Sequence, residues 1–190
     1  MDVLERDPVL GRLIEEHGPL ELEPAEDEFR RLVVSIINQQ VSTASATAIR
    51  ERVFDGFEIT PDGLLDADPE ELRQAGLSRQ KAEYVKNVAR AFQERDLTRE
   101  GLSDHSNEEV IEELTAIRGV GEWTAHMYLL FVLARKDVLP LGDLAVRRGI
   151  ELLYANGESL TRGEMREIAE NWRPYRSVAT LYIWAAYESR

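Results

Sequence analysis

Hydrophobic residues recur along most of the chain at intervals of three and four, which is the spacing of one face of an α-helix. Within 26–55 the apolar positions are Phe29, Leu32, Val33, Ile36 and Ile37. The stripe stops at a polar stretch, Asn38-Gln39-Gln40, and the side chains of Ser42 and Thr43 then offer a fresh helix cap. The pattern therefore predicts a helix, a polar break and a second helix within 26–55.

Other helix starts are marked by a capping side chain followed by proline, or by the spacing of a capping box. The marked positions are Thr60-Pro61, Asp68-Pro69, Ser78, Ser106-x-x-Glu109 and Thr161-x-x-Glu164. They predict short helices over 61–67 and 69–75, a basic helix from Ser78 to about Arg95, and two later helices. The apolar and aromatic segment 175–188 is predicted to be a buried helix. Because no segment alternates as a strand does, we expect an all-α fold of nine or ten helices.

Composition narrows the class of protein. The chain has 190 residues and no cysteine, which excludes disulfides, cysteine-ligated metal sites and a thiol nucleophile. Its three histidines have no metal-ligand spacing. The length supports one compact domain or two small lobes. No apolar run approaches the ~20 residues of a membrane span, and the first ten residues do not resemble a signal peptide. We therefore expect a soluble, cytoplasmic protein, associated with the nucleoid if the source is prokaryotic.

The net charge of −13 argues at first against binding to nucleic acid. The acid is segregated, however: residues 1–30 contribute −7 (ten acids, three bases) and residues 58–71 contribute −6 (six acids). The rest is neutral overall, and 73–95 has six bases and two acids. We expect the acidic segments to face away from any DNA. Only three of the 23 basic residues are lysines, and a surface rich in acid and arginine is typical of a halophilic source.

The most informative segment is a predicted hairpin at 114–134. Gly119-Val120-Gly121 leaves room only for a tight reversal between two helices, and glycine tolerates the backbone conformation that such a turn requires. The next helix is expected to begin at about Glu122, so its free N–H groups would form an anion site suited to a backbone phosphate. The alternative is an ordinary pair of helices joined by a glycine cap.

Four segments in order resemble the helix-hairpin-helix (HhH-GPD) DNA glycosylase superfamily, in particular its 3-methyladenine DNA glycosylase II branch. In chain order, they are the stretch Ile37-Asn-Gln39-Gln40-Val-Ser42, the hairpin itself and the loop Leu139-Pro140-Leu141-Gly142-Asp143. The fourth is Asn171-Trp172-Arg-Pro174-Tyr175-Arg176-Ser177 with the residues that follow to Trp184. The resemblance covers about 27–190. It implies one glycosylase domain of two helical lobes, about 27–137 and about 1–26 plus 138–190, with the active site in the cleft between them.

The resemblance makes Asp143 the expected catalytic residue. Cleavage of an N-glycosidic bond develops positive charge on the sugar, and a fixed carboxylate stabilises that state more than the neutral ground state. The alternative is that Asp143 only caps the helix 144–154, and the two roles are compatible. Lyase relatives carry lysine two residues after the second hairpin glycine, where this chain has Trp123. A monofunctional enzyme without AP-lyase activity is therefore expected.

The base pocket implied by the resemblance contains Trp123 and Trp184, whose ring faces attract an electron-poor cationic base. Either tryptophan could instead be ordinary core. Met127 and Leu144 stand where bacterial relatives have tyrosines, so this pocket is less aromatic.

The resemblance also implies contacts to DNA from two segments. In the polar stretch these contacts come from Gln39 and Gln40, and the Gln40 side chain is expected to fill the space that a flipped base leaves in the DNA stack. The alternative is that the two glutamines only cap a turn between helices. In the hairpin the contacts come from Gly119, Val120, Gly121 and Thr124. The carbonyls of Thr115, Ile117 and Val120 are expected to hold a structural Na⁺ or K⁺, while no cofactor is required.

The leading hypothesis is thus a monomeric DNA glycosylase that releases alkylated purines, 3-methyladenine first, from double-stranded DNA. One alternative keeps the fold and changes the lesion to ethenoadenine, hypoxanthine or uracil. Another is a non-catalytic DNA-binding module that uses the hairpin only to hold phosphate. A carboxylate facing DNA would bring no advantage to such a module, which favours the enzyme.

Overall fold

The computed structural model describes residues 2–189, and their regular secondary structure is entirely helical. The twelve helices in this part of the chain are α1 (Asp2–Glu5), α2 (Pro8–His17), α3 (Glu28–Asn38), α4 (Thr43–Gly56), α5 (Pro61–Asp66), α6 (Pro69–Gln74), α7 (Arg79–Glu94), α8 (Asn107–Thr115), α9 (Glu122–Phe131), α10 (Leu144–Tyr154), α11 (Arg162–Glu170) and α12 (Arg176–Glu188). The expected all-α class is confirmed. None of these helices is both long and apolar enough to cross a membrane.

The predicted helix starts agree with the structure. Ser42 caps α4, Ser78 caps α7, and both capping boxes form, with the side chain and backbone of each cap residue bonded to the glutamate three residues later. The ten helices α3 to α12 match the segments that the pattern indicates, but the expected total of nine or ten is too low for residues 2–189. Two more, α1 and α2, precede them and are not predicted from the hydrophobic pattern. Asp7-Pro8 at the start of α2 is the same signal as Asp68-Pro69, since the Asp7 side chain accepts hydrogen bonds from Val9 and Leu10.

The chain divides into two compact units. The central unit is Ala25–Leu133, and the terminal unit combines the residues up to Pro24 with those from Ala134 onward.

In the central unit, α3 packs against α4, α7 and α9, while α5 and α6 cover α7 and α8 packs on α9. The predicted stripe on α3 is buried as expected, with all five of its apolar side chains at most 5% exposed. Phe29 of α3 meets Phe92 of α7 edge to face, with ring centroids 5.2 Å apart. This packing places the end of α3 and the middle of α7 beside the hairpin.

In the terminal unit, α12 packs against both α2 and α10. Its inner face contributes Ala179, Tyr182 and Ile183 to a core that also contains Trp172. The hydroxyl of Tyr182 donates to the Gly18 carbonyl and accepts from the Leu20 N–H, each over 3.0 Å. These bonds tie the segment after α2 to the C-terminal helix. The segment 175–188 is buried as predicted at its centre, although Tyr187 near its end is 38% exposed.

Candidate functional site: a glycine hairpin and a capping aspartate

The hairpin joins α8 to α9 in six residues, and its two glycines serve different purposes. Gly119 has φ of +106°, and a β-carbon there would collide with the ring of Tyr84 from α7. The fold therefore requires glycine at this position. Gly121 has φ of −97° and open space around it, so the folded chain places no such demand on it. Val120 between them is buried, and its N–H donates to the Ile117 carbonyl over 3.0 Å.

The N-terminus of α9 is suited to an anion. Gly121 is its N-cap residue and has no side chain with which to cap the first N–H groups. Those N–H groups carry the positive end of the helix dipole. The exposed carboxylate of Glu122 opposes anion binding, because it places a negative charge at the first helical position.

The polar break after α3 is bonded to the hairpin. The side-chain amide of Gln39 donates to the Gly119 carbonyl over 3.0 Å and to the Thr124 hydroxyl over 2.9 Å. Thr124 is only 1% exposed, so its side chain lies inside the central unit. Gln40 is exposed and takes a left-handed backbone conformation, with φ of +55°. Of the two glutamines, Gln40 is the one that faces solvent.

Helix α7 supports both elements with side chains that the sequence analysis did not single out. The ammonium group of Lys81 donates to the carbonyls of Ile37 and Gln39, over 2.7 and 2.6 Å, and burial lowers the pKa of this lysine. Asn87 donates to the Arg118 carbonyl over 3.1 Å. Arg118 in turn pairs with Glu83 at 2.6 Å. The excess of base within 73–95 was the only signal in the sequence for these contacts.

Asp143 caps α10, as one of the two expected roles requires. Its carboxylate oxygen Oδ1 accepts from the Val146 N–H at 3.0 Å. The indole N–H of Trp184 donates to the same oxygen at 3.2 Å. The preceding turn is held as well, because Arg147 donates to the carbonyls of Leu141 and Gly142 over 2.8 and 3.1 Å. Asp143 is thus a half-buried carboxylate with a fixed orientation.

The other expected pocket residues lie in different environments. In the central unit, Trp123 is half-buried in the first turn of α9, and Met127 one turn later is 5% exposed. In the terminal unit, Leu144 next to Asp143 is 58% exposed, and Trp184 is half-buried. Trp172 differs from Trp123 and Trp184, since it is fully buried and its indole nitrogen lies 3.3 Å from Asp7 Oδ2.

The expected cation ligands extend from the last residue of α8, Thr115, through Ile117 to Val120 near the start of α9. Carbonyl groups in the last turn of a helix have no intrahelical donor, and such oxygens suit Na⁺ or K⁺. The Ile117 carbonyl already accepts from Val120, while the side chain of Thr115 bonds back to its own helix at Ile111. Carbonyl oxygens are the type of ligand that a monovalent ion takes, and the ion at Thr115, Ile117 and Val120 stays a prediction. Within residues 2–189, no cluster of histidine and acidic side chains could hold a metal.

Two helices reversed by a glycine turn, followed by a helix capped with aspartate, define a helix-hairpin-helix protein. Residues 33–174 match the HhH-GPD superfamily of base excision DNA repair proteins, and the chain belongs to this superfamily.

Individual relatives agree with this assignment. DNA-3-methyladenine glycosylase 1 of Schizosaccharomyces pombe is 32% identical over 180 residues, which cover 92% of this chain and 79% of that protein. The crystal structure of a DNA-3-methyladenine glycosidase from Bacillus halodurans is 38% identical with a TM-score of 0.82, covering 97% of this chain and 87% of the other. A structure of the Schizosaccharomyces pombe 3-methyladenine DNA glycosylase in complex with abasic DNA is 31% identical with a TM-score of 0.85, covering 96% and 92%.

Proposed function

We propose that this protein is a DNA glycosylase of base excision repair that removes alkylated purines, with 3-methyladenine as the first substrate. The observation that carries the proposal is the fixed carboxylate of Asp143, held by the Val146 N–H and the Trp184 indole on one oxygen. The similarity to 3-methyladenine glycosylases over more than 90% of the chain supports the choice of substrate class.

The reaction is hydrolysis of the N-glycosidic bond. The bond between the sugar C1′ and the base nitrogen breaks, and its electron pair leaves with the base. A cationic alkylated base leaves as a neutral molecule, so little acid catalysis is needed. Asp143 stabilises the positive charge that develops on the sugar, and water then adds to C1′ with loss of a proton. These steps leave an abasic site in an intact strand and require no cofactor.

The enzyme is proposed to be monofunctional. A lyase reaction needs an amine that forms a Schiff base, and position 123 holds tryptophan. Two of the three lysines are committed elsewhere, since Lys81 donates to the carbonyls after α3 and Lys86 donates to the Leu65 carbonyl at 2.7 Å. The third lysine, Lys136, is exposed, and its replacement by alanine is the control when a Schiff base is trapped with borohydride.

Contacts to DNA are proposed for the hairpin and the polar break. The N–H groups at the start of α9 bind a backbone phosphate, and Gly121 gives that phosphate room to approach. Gln40 is exposed and fills the space that a flipped base leaves. A Na⁺ or K⁺ at the carbonyls of Thr115, Ile117 and Val120 would add positive charge beside the phosphate. The protein acts on double-stranded DNA as a monomer, and the side chains that contact the base are those that the resemblance implies.

A panel of duplexes, each with a single damaged base, tests this function. The lesions are an alkylated purine, ethenoadenine, hypoxanthine and uracil, and the measurement is free base by chromatography. We expect release of the alkylated purine at the highest rate. Release of ethenoadenine, hypoxanthine or uracil alone would assign the enzyme to another lesion. Binding without release of any base would make it a DNA-binding module.

A further inference from the structure

The segment that carries Asp143 to the start of α10 has no helix of its own. We call residues 135–143 the connector. Its backbone groups need partners from other elements, and many of them are found on the first turn of α12. That turn contains Arg176 and Ser177, which belong to a motif that the reaction described above leaves without a role.

Ser177 is fully buried and bonds to three residues of the connector. Its hydroxyl donates to the Arg135 carbonyl over 2.6 Å and accepts from the Val138 N–H over 2.9 Å. Its backbone N–H donates to the Lys136 carbonyl over 3.0 Å. The side chain and backbone N–H of one residue thus supply hydrogen bonds that a regular helix would have supplied to this stretch.

Arginine side chains hold Asp137, which lies between the connector residues that bond to Ser177. The guanidinium of Arg176 donates to both carboxylate oxygens of Asp137, over 2.6 and 3.0 Å, and Arg173 reaches the same carboxylate at 2.6 Å. Arg176 is only 17% exposed. Burial alone would raise the pKa of Asp137, but hydrogen bonds and charge from the two arginines lower it below its ordinary value. The first half of the connector is therefore fixed at each residue from 135 to 138.

The other end of the connector is bound to the same helix. Ser177 and Trp184 are seven residues apart, which is two helical turns, so they lie on one face of α12. Trp184 donates to Asp143 Oδ1. Helix α12 therefore holds the connector at Ser177 and its last residue at Trp184.

We propose that Ser177, together with Arg176 acting through Asp137, positions Asp143 for the reaction. The inference rests on the proposed function, because it assigns Asp143 the catalytic role. Neither Ser177 nor Arg176 touches the substrate in this account. They fix residues 135–138, and the rest of the connector leads from there to Asp143. A displacement of the Asp143 carboxylate by about 1 Å can cost roughly 100-fold in rate.

Ser177→Ala tests the proposal, with Thr180→Val as the matched control. Both changes remove a buried hydroxyl from α12, but the Thr180 hydroxyl donates to the Arg176 carbonyl of its own helix. We expect Ser177→Ala to lower the single-turnover rate of base release per folded molecule by roughly 10- to 100-fold, while binding to an abasic duplex changes less than about twofold. Thr180→Val is expected to lower thermal stability and leave that rate unchanged. Ser177→Thr, which keeps the hydroxyl, should restore most of the rate.

A measurement other than activity separates the positioning role of Ser177 from the proposed function. The indole N–H resonance of Trp184, assigned through Trp184→Phe, reports its bond to Asp143. Ser177→Ala should shift or broaden it, and Thr180→Val should not. If Ser177→Ala does not fold, Arg176→Lys, which loses the two-pronged contact, should cause the same changes in weaker form. An unchanged resonance, or equal rate losses in Ser177→Ala and Thr180→Val, would overturn the positioning role. Absence of base release by the unmodified protein would instead count against the proposed function.

Discussion

Trp184 and Asp143 are joined by a hydrogen bond of 3.2 Å from the indole N–H to Oδ1. The resemblance assigned Trp184 to the wall of the base pocket, and the structure adds a second property to the same side chain. A hydrogen bond to an ionised carboxylate is stronger than one between neutral groups. Trp184 therefore contributes to the orientation of the carboxylate, whatever its ring face contacts.

Trp184→Phe separates the two properties, because phenylalanine keeps an aromatic face and loses the N–H. A bond to a charged group is worth about 1.5–3 kcal/mol, so we expect the single-turnover rate of base release to fall by about 10-fold or more. Trp184→Ala should lose more, since it also removes the ring. Trp172→Phe is the matched control, because it removes an indole bond to the carboxylate of Asp7 in the core. That variant should lose stability and keep its rate per folded molecule.

The two hairpin glycines are expected to respond differently to alanine. Gly119→Ala places a β-carbon against Tyr84 at positive φ, and should lower the free energy of unfolding by about 1–3 kcal/mol. Gly121→Ala meets open space at φ of −97°, so its stability should change by less than about 0.5 kcal/mol. Because a methyl group would stand where the phosphate approaches, Gly121→Ala should weaken duplex binding by roughly 10-fold.

Denaturant unfolding and fluorescence anisotropy with a labelled duplex measure these two effects. If Gly121→Ala binds DNA as well as the unmodified protein does, the phosphate site does not lie at this turn.

The sequence predicts helices well because their signals are local. Ser42, Ser106 and Thr161 cap helices at the predicted positions, since a cap depends only on residues within one turn. Helix α2 was not predicted, although Asp7-Pro8 carries the same local signal as Asp68-Pro69. The capping role of Asp143 was likewise visible from Gly142-Asp143 before an apolar run.

Contacts between distant residues could not be predicted in this way. Gln39 bonds to residues 80 and 85 positions later, and Ser177 bonds to residues about 40 positions earlier. No local pattern records such pairs, because they depend on how helices pack.

Asp137 should make stability depend on pH in a defined direction. Its pKa is lower in the folded protein than in the unfolded chain, so its contribution is complete above the ordinary aspartate value of about 3.9 and is lost as pH falls through the lower folded value. We expect Asp137→Asn to have a lower Tm than the unmodified protein at pH 7. The difference should be constant down to about pH 5 and shrink below pH 4. A difference in Tm that stayed constant to pH 2 would show that the charge of Asp137 does not contribute.

The proposal that the enzyme lacks lyase activity is tested by borohydride, which traps a Schiff base as a stable protein–DNA adduct. We expect free base to appear without an adduct and without strand cleavage. Lys136→Ala is the informative control, because Lys136 is the exposed lysine of the connector. An adduct in the unmodified protein that disappears in Lys136→Ala would identify a lysine nucleophile and contradict the monofunctional mechanism.

The central claim is that Asp143 drives release of alkylated purines, and Asp143→Asn tests it most directly. Asparagine can still cap α10 and accept from Trp184, so the fold should persist while the negative charge is lost. The measurement is the rate at which 3-methyladenine is released from methylated duplex DNA under single-turnover conditions, with thermal stability and abasic-duplex binding measured in parallel. We predict a loss of at least about 100-fold in rate, with binding retained. Release by Asp143→Asn at the rate of the unmodified protein would contradict the account.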